Sequence, residues 1–132
     1  MIFMEESILN SIKKLLGIQP DYTHFDQDII IHINSCFATL HQLGVGPAEP
    51  FTISGDGESW AEFMESETKI QSVKTYIYLK VKILFDSTSM GGATLEAYQQ
   101  MTQEYEWRLN VAADKPNEYD EPITEEEVNW GD

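Results

Sequence analysis

Histidine and cysteine are the side chains of this sequence best suited to metal or nucleophilic chemistry. His32 and His41 lie nine positions apart on one predicted helix, about 900° of rotation, so they point to opposite sides of it. His24 lies at or before the start of the same helix, and the sequence has no HExxH motif and no cysteine pair to complete a zinc site. We therefore predict no metal site and no cofactor.

The single cysteine and the many carboxylates do not form a catalytic set either. Cys36 stands among Ile29, Ile33 and Phe37, which is typical of a small buried apolar residue in a reducing compartment. Acid and base catalysis needs carboxylates positioned in a desolvated cleft, whereas most acids here fall at helix starts or on polar faces. The sequence also has no GxSxG elbow, no phosphate loop and no GxGxxG motif. We predict that the protein is not an enzyme.

Charge argues against ordinary nucleic-acid binding. The formal net charge is -15, from 8 basic and 23 acidic residues, and affinity for a phosphate backbone comes from lysines and arginines that displace counterions. Residues 114–132 hold eight acids and one lysine, a net charge of -7. We expect duplex DNA to be repelled.

The sequence carries neither a secretory start nor a membrane span. Glu5 and Glu6 stand where a signal peptide would be positively charged. The apolar run TYIYLKVKILF is split by Lys80 and Lys82, so it falls short of the length of about 20 residues that a bilayer requires. The expected location is the cytoplasm.

The first half of the chain predicts two helices. The first runs over about residues 5–16 and ends at Gly17 and Pro20, and its apolar face is formed by Ile8, Ile12 and Leu15. The second opens at Thr23 and Asp26, which have capping-box spacing, and ends at Leu43 with Gly44 as its cap. Its apolar stripe is wide, which predicts the central helix of the core; the seam residues are Ile30, Ile33, Phe37 and Leu40.

The second half predicts a loop, a short turn and two longer helices. Residues 44–50 read as a loop, and residues 51–54 could form one short strand or hairpin arm. Ser59 and Glu62 form a capping box before a turn that carries Trp60 and Phe63. Apolar spacing then predicts helices over about residues 70–85 and 93–113. The predicted fold is mainly α, a four-helix bundle-like domain over residues 1–113 with a short β strand or hairpin between helices 2 and 3.

The composition of residues 114–132, with few apolar residues and two prolines, predicts a C-terminal extension, a tail that is flexible in the free protein. Thr124 and Glu127 nevertheless have capping-box spacing, and Ile123 and Val128 are placed as a hydrophobic staple. Tyr119 and Trp130 flank this segment as candidate anchors. Two interpretations stay open: a short helix that forms on a partner, and a solvated tail whose pattern is accidental.

Several stretches of the sequence resemble one group of phage proteins. DIIIHINSCFATLHQLGVGP, IQSVKTYIYLKVKILFD and EYEWRLNVAAD, with Trp60 in a polar loop between the first two, resemble the head-tail connector (head completion, or adaptor) proteins of long-tailed bacteriophages that have a compact helical fold. The resemblance covers roughly residues 5–113, and HINSCFATLHQLGVGP and EWRLNVAAD are its most specific parts.

The resemblance implies a structural virion protein without enzymatic activity. Such proteins form rings, typically of twelve copies, that dock beneath the portal vertex, receive the next connector, stopper or tail protein, and let DNA pass through the centre without sequence-specific binding. The implied location is the neck of the virion, at the head-tail interface, with assembly in the host cytoplasm. C-terminal segments of the group commonly engage the portal, which makes residues 114–132 the candidate portal-docking tail.

Within this interpretation, two sets of residues are candidates for contacts. The loop over residues 44–58 carries Glu49, Asp56 and Glu58, which we expect to face the channel or a neighbouring subunit, although a plain surface loop fits equally well. The four lysines within residues 69–82 are candidates for contacts between subunits: Lys69, Lys74, Lys80 and Lys82.

Two rival functions follow from the same sequence. An acidic DNA mimic that inhibits a host nucleic-acid-binding protein would suit the size and charge, but its acids should line one continuous face. A small enzyme would need a pocket with converging polar groups.

Overall fold

Residues 5–114 of the chain are described by a computed structural model, apart from the side chains of Glu67 and Asp114. Over this range the chain is mainly helical, as the sequence predicted. The helices are α1 (Ile8–Leu15), α2 (Asp26–Gln42), α3 (Trp60–Phe63), α4 (Glu67–Asp86) and α5 (Gly92–Asp114), with a 3₁₀ turn at Ser87–Ser89 before α5. Helix α4 packs most extensively on α5 and next on α2, and α1 packs on both α2 and α4. The four longer helices therefore form the predicted bundle-like core.

Helix α1 begins at a serine cap and ends at a left-handed glycine. The Oγ atom of Ser7 accepts a hydrogen bond of 3.1 Å from the backbone N–H of Asn10, which satisfies one of the free donors of the first turn. Gly17 follows the helix with a φ of 83°, a conformation that glycine adopts without a steric penalty. Ile8, Leu9 and Ile12 are buried, so the short helix is held by its packing on the bundle.

Helix α2 buries the predicted apolar face, but the central helix is α4, which packs on α1, α2 and α5. The first turn of α2 also differs from the expected capping box. The N-cap residue is Phe25 and it makes no side-chain cap; Thr23 contacts Asp26 only through its backbone carbonyl, at 3.2 Å. The carboxylate of Asp26 instead binds the Nζ atom of Lys13 at 2.7 Å. A tertiary ion pair therefore replaces the local cap at this position.

Lys13 ties α1 to the start of α2. Its side chain is only 1% exposed, and Nζ donates to the carbonyl oxygens of Pro20 at 3.0 Å and Tyr22 at 2.8 Å, in addition to its contact with Asp26. Three oxygens thus surround the buried ammonium, which is the condition under which a charge is tolerated in a protein interior.

The strand expected over residues 51–54 does not form in the described structure. The backbone of Ile53 pairs with a side chain instead: its N–H donates to Asn34 Oδ1 at 2.8 Å, and its carbonyl accepts from Asn34 Nδ2 at 3.0 Å. Within residues 5–114 the β-type pairing is one isolated antiparallel bridge between Ser7 and Ser59. The loop is therefore fixed by an amide on α2 without a second strand.

The expected capping box of Ser59 and Glu62 is also replaced. Ser59 precedes α3 without a side-chain cap, and Glu62 contacts it through the backbone alone, at 3.1 Å. Ser66 provides the side-chain cap of the next helix, where its Oγ accepts from the N–H of Lys69 at 3.2 Å. The short turn α3 is held by the burial of Trp60 and Phe63.

Trp60 lies at the centre of the core, fully buried. Its Nε1–H donates to Ser11 Oγ at 2.8 Å, and that hydroxyl donates to the carbonyl of Ile8 at 3.1 Å. Buried tryptophans need a partner for the indole N–H, and here a serine of α1 supplies it. The loop that ends at Trp60 is thereby attached to the first helix.

Helices α4 and α5 run antiparallel and share one carboxylate. Glu106 Oε2 accepts from the hydroxyl of Tyr76 at 2.8 Å and lies 3.4 Å from Nζ of Lys80. Burial raises the pKa of the Tyr76 hydroxyl, and its hydrogen bond to Glu106 adds to that effect.

In residues 5–114, no helix is both long enough and apolar enough to span a bilayer.

Candidate functional site

The side chains considered for chemistry are dispersed in the structure. Cys36 is buried, and burial raises the pKa of its thiol to about 12, so the nucleophilic thiolate is disfavoured at neutral pH. His24 and His41 are exposed and His32 is half-buried. Among residues 5–114, no three histidine, cysteine or acidic side chains group so as to hold a metal ion.

The acidic loop has two free carboxylates and one that stabilises the loop itself. Glu49 and Asp56 are exposed. Glu58 Oε2 instead accepts from the N–H and the hydroxyl of Ser54, at 3.0 and 3.1 Å. Desolvation would raise the pKa of Glu58, but hydrogen bonds from the backbone of residues 54, 55 and 58 and from the Ser54 hydroxyl outweigh it and lower the pKa. Glu49 and Asp56 are thus the two loop acids available to a partner.

The four lysines proposed for subunit contacts lie on α4 and differ in their surroundings. Lys80 is 3.4 Å from Glu106, and Lys82 is 2.8 Å from Asp86, whose hydrogen bond raises the pKa of the Lys82 ammonium. Lys74 lies 3.5 Å from Glu6. Lys69 is exposed near the start of the helix. Three of the four therefore bind carboxylates of their own chain.

One end of the bundle carries an open groove of about 630 Å³, which we call the bundle-end groove. It lies where the end of α2, the start of α4 and the end of α5 meet. Its lining is mostly apolar and consists of Gly44, Val45, Gly46, Pro47, Phe63, Met64, Thr68, Lys69, Ser72, Val73, Arg108, Leu109, Ala112 and Ala113. Asn110 holds this end together by donating from Nδ2 to the carbonyl of Leu43 at 3.3 Å. The sequence did not predict the groove, because residues from four separate segments form it.

Exposed apolar side chains mark a second feature that the sequence analysis did not assign. Trp107 on α5 is 66% exposed and Ile31 on α2 is 61% exposed. Trp107 lies off the buried face of α5, which holds Thr102 and Leu109. Large aromatic residues on a surface are typical of protein interfaces. The signal in the sequence was a tryptophan placed between the apolar positions of a predicted amphipathic helix.

The residues proposed to anchor the C-terminal tail lie outside the described part of the chain. They are Tyr119, Ile123, Thr124, Glu127, Val128 and Trp130. The division into a helical domain over residues 1–113 and a tail over residues 114–132 stays a prediction.

Comparison with known proteins gives one match. The model of a family described as phage connector protein matches residues 8–116. This range includes all five helices from Ile8 to Asp114. No curated protein and no solved structure matches the chain significantly.

Proposed function

The chain belongs to the phage connector protein family, and from this membership we propose that it forms a ring beneath the portal vertex, joins capsid to tail and leaves a central channel for DNA. The observation that carries the proposal is the family match over residues 8–116. The family match confirms the resemblance to phage connector proteins found in the sequence, and the role of this family is structural. The proposed ring has about twelve subunits, binds the portal protein on one side and the next connector, stopper or tail protein on the other, and is located in the neck of the virion after assembly in the host cytoplasm.

Contacts between subunits are proposed from the exposed groups on the bundle. Glu49 and Asp56 present carboxylates on the loop, and Lys69 is the exposed cation of α4. The acidic loop of one copy would therefore be complementary in charge to helix α4 of its neighbour. Lys74, Lys80 and Lys82 are proposed as secondary contacts, since each already binds a carboxylate of its own chain. Repeated heterologous contacts of this kind close into a ring when the rotation between copies is right.

The acidic charge supports passage of DNA without binding. A subunit with a net charge of -15, repeated around an axis, repels a phosphate backbone and offers few cations that could hold it. The same charge makes copies repel one another, so we expect assembly to depend on salt, on the portal as a template, or on the lysine contacts. Glu49, Asp56 and Glu58 stay the candidates for the channel wall or the subunit boundary.

Residues 114–132 are proposed as the segment that engages the portal. Their net charge of -7 favours a basic surface on the portal protein. The apolar anchors Ile123, Val128 and Trp130 would supply the contacts that a charged segment alone lacks.

Portal binding tests the proposal. The full chain, a chain without residues 114–132, and a Glu49→Lys/Asp56→Lys variant are each sedimented with the portal protein of the same phage. We expect the full chain to co-sediment, the truncated chain to lose binding, and the loop variant to bind the portal with a defect in the contacts between copies. A chain that stays monomeric at every salt concentration and never joins the portal would refute the ring. If that monomer inhibited a nuclease or polymerase, the DNA-mimic function would replace the ring as the proposed function.

A further inference from the structure

The bundle-end groove is an apolar surface with a basic character on its two walls. Lys69 lies on the α4 wall and Arg108 on the α5 wall, and none of the other described residues that line the groove is charged. Arg108 Nη2 already pairs with Glu104 of its own helix at 2.6 Å, so the exposed Lys69 is the main cation that the groove offers. Val45 and Phe63 contribute to the floor, where they are 7% and 4% exposed. A ligand with apolar side chains and negative charge would fit both features.

The chain leaves the described structure at the edge of this groove. Ala112 and Ala113 line it, and α5 ends one residue later, at Asp114. Pro116 follows, and a proline shortly after a helix end cannot continue the helix. The C-terminal end of α5 therefore lies beside the groove.

Residues 115–132 have the composition that the groove would accept. They contain seven acids and one lysine, opposite in sign to Lys69 and Arg108. They also contain Ile123, Val128 and Trp130. At most about 3.3–3.6 Å per residue, this segment can extend roughly 60 Å, which is more than enough for these side chains to fold back over the groove. A volume of about 630 Å³ accommodates a few large side chains.

We propose that residues 115–132, whose composition alone predicts a flexible tail, dock in the bundle-end groove of their own chain while the subunit is free. Covalent attachment favours this over docking from another copy, because a short tether gives an effective concentration on the order of millimolar. The apolar side chains occupy the floor, and the acidic residues lie against Lys69 and Arg108. Docking covers an apolar surface of the unassembled protein and holds the tail until a partner competes for it. This inference concerns the free subunit and does not rest on the proposed ring.

Paramagnetic broadening in the isolated full-length chain tests the inference. A nitroxide is attached through Asp132→Cys, and Cys36 does not compete for the label because it is buried. Amide signals of Val45 and Ser72, which line the groove, should lose most of their intensity. The amide of Phe85, thirteen residues from Ser72 along α4 and thus about 20 Å away, should keep its intensity.

Charge and anchor variants separate docking from random contact. Lys69→Glu and Trp130→Ala should each restore the groove signals, whereas Lys14→Glu, the same charge reversal at an exposed lysine of α1, should leave them broadened. Mixtures of spin-labelled unenriched chains with ¹⁵N-labelled unmodified chains should show no broadening. Equal broadening at Phe85 and in the groove, an equal response to the two lysine variants, or broadening that appears only in the mixtures would each overturn the proposal. No portal is present in this measurement, so its result is independent of the proposed function.

Discussion

Replacing Gly46 with alanine should destabilise the protein far more than an ordinary glycine substitution. Gly46 has a φ of 100°, in the region that side-chain-bearing residues rarely adopt. A Cβ atom at this position would lie 2.5 Å from both Cε1 and Cζ of Phe63. The substitution therefore combines backbone strain with a steric clash.

The neighbouring rings limit how far Phe63 can move to relieve that clash. Its ring centroid lies 4.8 Å from that of Phe37 and 5.4 Å from that of Phe51, and Phe63 is buried. A left-handed conformation costs about 1–2 kcal/mol for a residue other than glycine, and overpacking a core typically costs about 1–3 kcal/mol. We expect Gly46→Ala to lower the free energy of unfolding by about 2–5 kcal/mol, a large share of the roughly 5–15 kcal/mol of a typical domain.

Two other glycines supply matched controls. Gly17 has a φ of 83° with nothing within 4 Å of the added Cβ, so Gly17→Ala isolates the backbone strain and should cost about 1–2 kcal/mol. The space around Gly57 is also open and its φ lies outside the left-handed region, so Gly57→Ala should stay within about 0.5 kcal/mol of the parent protein. Urea unfolding followed by far-UV circular dichroism measures all three. If Gly46→Ala were no more destabilising than Gly17→Ala, the account of the contact with Phe63 would be wrong.

Two further substitutions, each with a surface control, and one labelling experiment test the core. Trp60→Phe should cost about 2–3 kcal/mol of unfolding free energy, because the indole hydrogen bond is lost and the side chain is smaller. Trp107→Phe on the surface should change the unfolding free energy by less than about 0.5 kcal/mol. Similar urea midpoints for the two variants would contradict the burial of Trp60. Lys13→Met should cost about 3–5 kcal/mol, because it leaves buried oxygens without their cation, and Lys14→Met, at an exposed neighbour, should be nearly neutral in thermal denaturation. Cys36 should resist a maleimide at pH 8 in the native protein and react fully in urea, since burial raises the pKa of its thiol to about 12; rapid native labelling would show that the thiol is accessible.

The helices were predictable because their apolar spacing is an intrinsic property of the sequence. The positions that place Ile33, Phe37 and Leu40 on one face of α2 are buried in the structure, and the predicted range 93–113 differs by one residue at each end from α5 (Gly92–Asp114). Packing of such amphipathic faces on one another provides most of the stability of helices of this length. Local periodicity was therefore sufficient to predict the helices and most of their buried faces, although Leu15, predicted on the apolar face of α1, is 46% exposed.

Features that depend on distant partners were not predictable in the same way. The burial of Lys13 depends on carbonyl oxygens at positions 20 and 22 and on Asp26, which a turn brings to it. The backbone of Ile53 is satisfied by the side chain of Asn34, nineteen residues earlier, so a segment with strand propensity stays irregular. Serine and threonine occur often enough that capping-box spacing arose at Thr23 and Ser59, whereas the structure uses Ser7 and Ser66 as side-chain caps.

The candidate contact surfaces were likewise predictable where they depend on local sequence and unpredictable where they depend on distant residues. Exposure of Glu49 and Asp56 agrees with their place in a polar loop. The partners of Lys80 and Lys82 could not be predicted, because Glu106 comes from another helix and the i, i+4 pair with Asp86 required the helix to continue past residue 85. The bundle-end groove required the packing of α2, α4 and α5 to be known.

The particle mass of the chain bound to its portal protein decides whether the chain forms a ring on the portal. Mass photometry of the portal alone and of the portal with an excess of this chain gives the bound mass. We expect one added ring, whose mass is a whole-number multiple of the 15.1 kDa subunit close to twelve copies, with no partly filled species at saturation. A portal whose mass is unchanged in the presence of folded chain, or that binds scattered single copies, would contradict it.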